Sequence, residues 1–309
     1  MGEEKAKQYA KKKIYLTIIN FIYTAVLFGI LIGFGLSVCL RDWAYAFSAN
    51  HILAVAVYFL MFTVYVYILD FPISFYGSFT LEHTYSLSNQ SFGDWFKEDM
   101  KKQGISLLVG LLLVEVLYGL IRTFPEWWWL WAWAVFILFS VVFGQIFPVL
   151  IVPLFYRYSD IADETLRDRL IQFAERFGLK VSHVSTIDFS KTTKKANAAF
   201  CGLGPTKRII LTDNLLNNFS HDEIEMVLAH EVGHYKKNHI LKNIVLSSVI
   251  SLLGFAMLGI YLDTISAHMG FFGQADIANF PLIYLLSFLA GLILLPLQNA
   301  FSRYMENES

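Results

Sequence analysis

The sequence predicts a mostly α-helical, polytopic membrane protein with about six transmembrane helices and a small cytosolic α+β insert. Three observations carry this. The 309 residues are 56% hydrophobic and only 16% charged, against about 45–50% and about 25% in a soluble domain, and the mean hydropathy is +0.52. Six nearly uncharged stretches reach the roughly 20 residues a helix needs to cross the hydrocarbon core. A single long polar segment, Arg157–Lys242, interrupts them. This composition excludes a soluble enzyme, a disordered tail and a fibrous repeat. A formal net charge of -1 leaves no basic excess for a nucleic-acid partner. Two cysteines, Cys39 and Cys201, make neither a disulfide framework nor a four-cysteine zinc site.

The expected spans are Ile14–Leu40, Trp43–Leu69, Gly104–Ile121, Trp127–Tyr156, Asn243–Leu262 and Ile277–Ser302. The first is too long for a signal-peptide core and lacks a small-residue cleavage site, so it reads as a retained anchor. Met1-Gly2 is not a myristoylation signal, because Ala6 stands where Ser or Thr is required. Pro148 and Pro153 bend or end the fourth span. Lys5, Lys7, Lys11, Lys12 and Lys13 place the N-terminus on the cytoplasmic side. Alternation then puts Asp70–Gln103, the segment 157–242 and the tail from Arg303 inside, all with basic residues. It leaves Arg41–Asp42, Arg122–Glu126 and the Lys- and Arg-free Asp263–Asn279 outside. The chain therefore divides into residues 1–156 with four spans, the insert 157–242, and residues 243–309 with two spans and a polar end.

Within the insert, Asp160–Phe177 has helical periodicity and stops at Gly178. Val181–Ile187, Ala196–Phe200 and Arg208–Thr212 read as short strands, with a turn at Gly202-Leu203-Gly204-Pro205. Ser220 and Glu223 form a capping-box pattern. A helix thus begins near His221, and its pattern continues unbroken towards Asp263. That helix carries His230-Glu231-Val232-Gly233-His234. Residues four apart share a helix face, so both imidazoles can reach one ion while Glu231 stands beside the open coordination position. This is the HExxH arrangement: two ligands and a general base for metal-activated water. The apolar residues Ile224, Val227 and Leu228 supply the helix's buried face.

Two histidines and a water leave zinc one protein ligand short. Lys237 and Ile240 stand where a metzincin needs Gly and His, and His239, one residue off that register, is expected at the headgroups. Two spans return the tail to the same side of the membrane. There Asn299, Ser302, Arg303 and Glu306 recur at three- to four-residue spacing, making Glu306 the best-placed third ligand. Glu308 lies off that face, and Asp263 and Asp276 fall on the opposite side.

These motifs resemble the integral-membrane M48 metalloproteases of the Ste24 / CaaX prenyl protease 1 type. The matching stretches are His230–His234, Ala196-Asn197-Ala198-Ala199-Phe200, Arg208–Asp213, Asn299–Glu306, and Glu82-His83 with Leu87-Ser88-Asn89-Gln90. The resemblance implies a gluzincin-like insert and one zinc ion per chain held by His230, His234 and Glu306, with Glu231 as catalytic base. It also implies substrate binding at Asn197, Ala198 and Ala199, where a peptide adds as a strand beside Ala196–Phe200. Without it, Asn197 reads as an ordinary hairpin asparagine. The partners implied are the bilayer and a polypeptide substrate, membrane-embedded or prenylated. The oligomeric state is left open.

The family motif continues as Glu-x-x-Ala-Asp, with the Asp orienting a zinc-binding His, whereas Glu306 is followed here by Asn307, Glu308 and Ser309. Relative to the family the sequence thus reads as C-terminally truncated or as a non-catalytic pseudoprotease. Counting four spans before the insert favours a bacterial inner-membrane homologue over an endoplasmic-reticulum one. It also distinguishes the chain from the HtpX-like quality-control proteases, the nearest alternative, which have two. Lys236 and Lys237 directly after the motif argue against a site-2-type intramembrane protease, and the lack of related halves argues against a transporter. Glu115, inside the third span, faces a cavity or a neighbouring helix. Trp127-Trp128-Trp129, Trp131 and Trp133 are expected as an interfacial belt. Cys201 has no partner at ligand spacing.

Overall fold

The computed structural model describes residues 2–201 and 208–309, and the expected turn Gly202–Pro205 lies outside them. Two compact units are present. The first comprises Met1–Tyr85, Phe92–Phe136 and Val249–Leu295, and the second Ser86–Ser91, Ile137–Ser248 and Pro296–Ser309.

The membrane unit is built from α1 (Glu3–Gly33), α2 (Leu36–Phe47), α3 (His51–Phe75), α4 (Leu81–Thr84), α5 (Phe92–Thr123), most of α11 (His239–His268), most of α12 (Phe280–Glu308) and the start of α6 (Trp128–Ile146). A π-helical segment, Tyr76–Thr80, joins α3 to α4. Six helices among the described residues are long and apolar enough to cross a membrane: Glu3–Gly33, His51–Thr84, Phe92–Thr123, Trp128–Phe155, His239–His268 and Ile277–Glu308. On α1, Ile14, Ile18, Ile22, Val26 and Ile30 form an exposed stripe, while Leu27, Phe28 and Leu31 are buried. Apolar residues on both faces mark a helix solvated by lipid outside and by protein inside. The inner side chains meet Ala54, Tyr58 and Phe62 of α3, Tyr118 and Ile121 of α5, and Leu262 and Leu282. Phe28 stacks on Tyr284 at 4.5 Å between ring centroids.

Three differences from the expected spans have local causes. The first span ends at Gly33, because Gly35 takes φ 70°, a left-handed conformation that stops the helix. Arg41 therefore lies inside α2 and not in an outer loop, and it is buried with Nη1 2.7 Å from Asp276 Oδ2. The expected loop Asp70–Gln103 is mostly helix, interrupted only between Thr84 and Phe92. Of the expected tryptophan belt, Trp127 and Trp131 are exposed but Trp128 is buried, donating from Nε1 to Gln274 at 3.0 Å.

The second unit holds the polar insert. A four-stranded sheet runs in the order β1-β2-β4-β3, with β1 at Tyr158–Asp160, β2 at His183–Ile187, β3 at Ala198–Cys201 and β4 at Arg208–Thr212. β2 and β4 are parallel, and β1 and β3 flank them antiparallel. Helices α8 (Glu164–Arg176), α9 (Asp213–Asn218) and α10 (His221–Lys236) complete it, preceded by α7 (Val152–Phe155). Leu166, Leu170 and Ala174 of α8 and Ile224, Leu228 and Val232 of α10 bury against Val184, Ile209 and Leu211 of the sheet. The segment Ser86–Ser91 joins this unit: Asn89 N donates to Thr192 O at 3.1 Å and Lys194 N to Leu87 O at 3.0 Å. The expected strands shift by up to two residues, and β1, three residues long, went unpredicted because so short a run shows no alternation.

Candidate metal centre

Helix α10 is fixed at its start and along one face before it presents any chemistry. The capping box forms: Ser220 N donates to Glu223 Oε2 at 2.8 Å, and the Ser220 hydroxyl accepts from Glu223 N. The i, i+4, i+8 stripe Ile224, Leu228, Val232 is buried. A separate stripe carries His230 and His234, whose Nε2 atoms approach to 3.1 Å.

Glu306 reaches them from the end of α12, with Oε2 3.2 Å from His230 Nε2 and 3.5 Å from His234 Nε2. All three donor atoms lie within 4.8 Å of one another. A tetrahedral zinc with bonds of about 2.0–2.1 Å separates its ligand atoms by about 3.3 Å, so the spacing and the two-imidazole, one-carboxylate donor set both fit that ion. The close approach of α12 depends on Gly233: a Cβ there would stand 2.7 Å from Ser309 O and 3.1 Å from Ser309 Cα. The glycine between the histidines thus admits the helix that brings the third donor.

Glu231 is half-buried beside a cavity of about 280 Å³ lined also by Phe200, His234, Tyr235 and His239. Burial pushes its carboxyl above the ordinary range, His234 and His230 draw it down, and Glu306 pushes it up again. A carboxyl raised in this way is a better proton acceptor at neutral pH than a solvated glutamate. Burial likewise holds the Cys201 thiol up, keeping it protonated and unreactive.

Asn197 precedes β3, an outer strand of the sheet, and is exposed. Its main chain is tied to Thr212, with Asn197 N donating to Oγ1 at 2.9 Å, and its Oδ1 accepts from Ala198 N at 3.0 Å. Ala198 is buried and Ala199 half-buried. β3 packs against α10, with the Phe200 and Tyr235 rings 5.3 Å apart.

Two expectations are overturned. The motif helix does not continue through the second unit into the next span: Asn238 takes φ 53°, and Lys237 N and Asn238 N close back on Gly233 O and Tyr235 O. The following helix, α11, therefore starts anew at His239. That turn buries His239 to 2% exposure instead of placing it at the headgroups. Its Nδ1 lies 2.9 Å from His234 Nδ1 and its Nε2 3.1 Å from Glu308 Oε2. Glu308, which stays outside the three converging donors, also meets Lys242 Nζ at 2.7 Å and Lys237 Nζ at 3.6 Å. Lys236-Lys237-Asn238, basic residues followed by Asn, is a helix-stop pattern that would have revealed the turn.

A family model for the CAAX prenyl protease N-terminal region, with five membrane helices, matches residues 3–157. Among the described residues that stretch holds four long candidate spans and the shorter α2. A model for peptidase family M48 matches residues 161–309. An uncharacterized metalloprotease of Bacillus subtilis, YhfN, is 29% identical over 308 residues, covering 98% of this chain and 72% of that protein. CAAX prenyl protease 1 of Saccharomyces cerevisiae is 32% identical over 217 residues, 69% of this chain. This chain spans 48% of the length of the yeast protein. The crystal structure of Ste24p from S. mikatae superposes with a TM-score of 0.85 at 22% identity, covering 100% of this chain and 78% of that one, a likeness of fold.

Proposed function

The chain belongs to peptidase family M48, of the Ste24 / CAAX prenyl protease 1 type, and from that premise we propose that it is a zinc-dependent endopeptidase of multi-pass membrane architecture. The observation that carries the reading is the convergence of His230, His234 and Glu306 with Glu231 adjacent on the same helix. These three side chains would hold one zinc ion. When bound, that ion supplies a Lewis acid that polarises the scissile carbonyl and lowers the pKa of water.

The chain's own residues supply the rest. Glu231 takes a proton from the attacking water and returns it to the leaving amine, which its burial-raised carboxyl favours. Substrate binds as an added strand along β3, at the sheet margin that Asn197, Ala198 and Ala199 occupy. Extended binding of this kind holds the scissile bond rigid next to α10. The substrate class is a membrane-associated polypeptide, prenylated CaaX proteins among the possibilities that the yeast relative's name suggests. Lysine-rich segments at both the N-terminus and the insert support a cytoplasmic location for the site.

Glu231→Gln in the full-length protein tests the proposal. We expect zinc to be retained at one ion per chain while peptide cleavage falls by at least about 100-fold, the range that removal of a general base produces. Undiminished cleavage by the purified variant would refute the assignment.

A further inference from the structure

Resting on His230, His234 and Glu306 as the ligand set, we infer that His239 is a positioning residue that locks His234 in a single tautomer and orientation, with Glu308 as its anchor. His234 turns Nε2 towards His230 and Glu306, at 3.1 and 3.5 Å. An imidazole that ligates through Nε2 carries its proton on Nδ1. That Nδ1 is 2.9 Å from Nδ1 of His239. Two N–H groups cannot point at each other across such a distance, so His239 Nδ1 is the acceptor. The remaining proton of His239 then sits on Nε2, which donates to Glu308 Oε2 at 3.1 Å.

One proton assignment therefore satisfies every link: His234 Nδ1–H to His239, and His239 Nε2–H to Glu308. Glu308 is fixed in turn by Lys242 at 2.7 Å, with Lys237 3.6 Å from its other oxygen. Ser309 Oγ approaches His239 Nδ1 only to 3.5 Å and donates to Met305 O at 2.9 Å, so it does not compete. The His234 and His239 rings meet edge to face, 4.9 Å apart at 77°. A ring 2% exposed, with both nitrogens engaged, has no freedom to rotate. The αL turn at Asn238 is what brings it beneath the ligand. Such outer partners orient a metal-binding histidine and raise its basicity, and losing one commonly costs about 10–100-fold in metal affinity.

The test is the dissociation constant of zinc for the purified 309-residue chain in detergent, by competition with a chromophoric chelator, together with the absorption spectrum of the cobalt-loaded protein. His239→Leu should weaken zinc binding by about 10–100-fold and shift the cobalt bands. His239→Gln should recover most of both, since its carboxamide can accept from His234 and donate to Glu308. Glu308→Gln should fall between. Leucine fills the same buried space, so a residue that merely packs would leave affinity and spectrum unmoved, and that result overturns the inference. Should the leucine variant not fold, unchanged affinity in Glu308→Ala, which removes the acceptor for His239 Nε2–H, overturns it equally. A wild-type chain that takes up no zinc refutes the ligand set itself, and this inference with it.

Discussion

Arg41 with Asp276 in the membrane unit and His239 with Glu308 in the second unit are both clusters of ionisable groups with at least one member buried, yet they are wired differently. The first is closed. Asp276 accepts from Arg41, from Phe272 N at 2.9 Å and from Ala278 N at 2.9 Å, while the guanidinium lies 4.4 Å from the Phe272 ring centre. Arg41 Nε and Nη2 also meet Asp42 Oδ1 at 2.9 and 2.8 Å, and none of these bonds leads to a candidate metal ligand. The second is open at one end, because its chain of hydrogen bonds terminates on His234, whose far nitrogen faces the other donors. The first cluster holds helices together; the second orients a candidate metal ligand.

The sharpest way to break this contrast is Arg41→Ala. It leaves the Asp276 carboxylate buried without its cation, and we expect a loss of about 3–5 kcal/mol, seen as a collapse of the thermal transition in detergent with zinc affinity of the folded fraction unchanged. A fall in that affinity matching His239→Leu would erase the distinction. Gly259→Ala comes next. A Cβ there would sit 2.6 Å from Trp129 Cγ, and overpacking of this kind costs about 1–3 kcal/mol, with an altered tryptophan emission spectrum as its signature. Smallest is Ser220→Ala, at about 1 kcal/mol. Its pH dependence is informative. The Ser220 backbone N–H and hydroxyl hold the Glu223 carboxyl below its ordinary value, so this contribution is present above the unfolded carboxylate pKa and fades as pH falls through the folded one. The difference in melting temperature between wild type and variant should therefore narrow below about pH 4.

The membrane helices were legible because runs of about 20 apolar residues outweigh every other signal. Their ends were not, since hydropathy does not register a left-handed glycine such as Gly35. Arg41 read as a loop charge because its partner lies 235 residues away, a separation over which no local pattern speaks. The convergence of His230 and His234 was visible from helical spacing, and that of Glu306 from the polar periodicity of the last helix. His239 and Glu308 were missed for one reason: a helix extended past Asn238 points residue 239 the wrong way. A single backbone turn thus separated a complete reading of the polar network from a partial one.

The contact between Gly233 and the end of α12 has a bearing on biosynthesis. Two of the three candidate metal donors are translated more than 70 residues before Glu306, and two candidate spans follow them. A polypeptide still on the ribosome therefore carries only His230 and His234 of the candidate donor set. The three candidate donors come together only once the helix that carries Glu306 has been inserted.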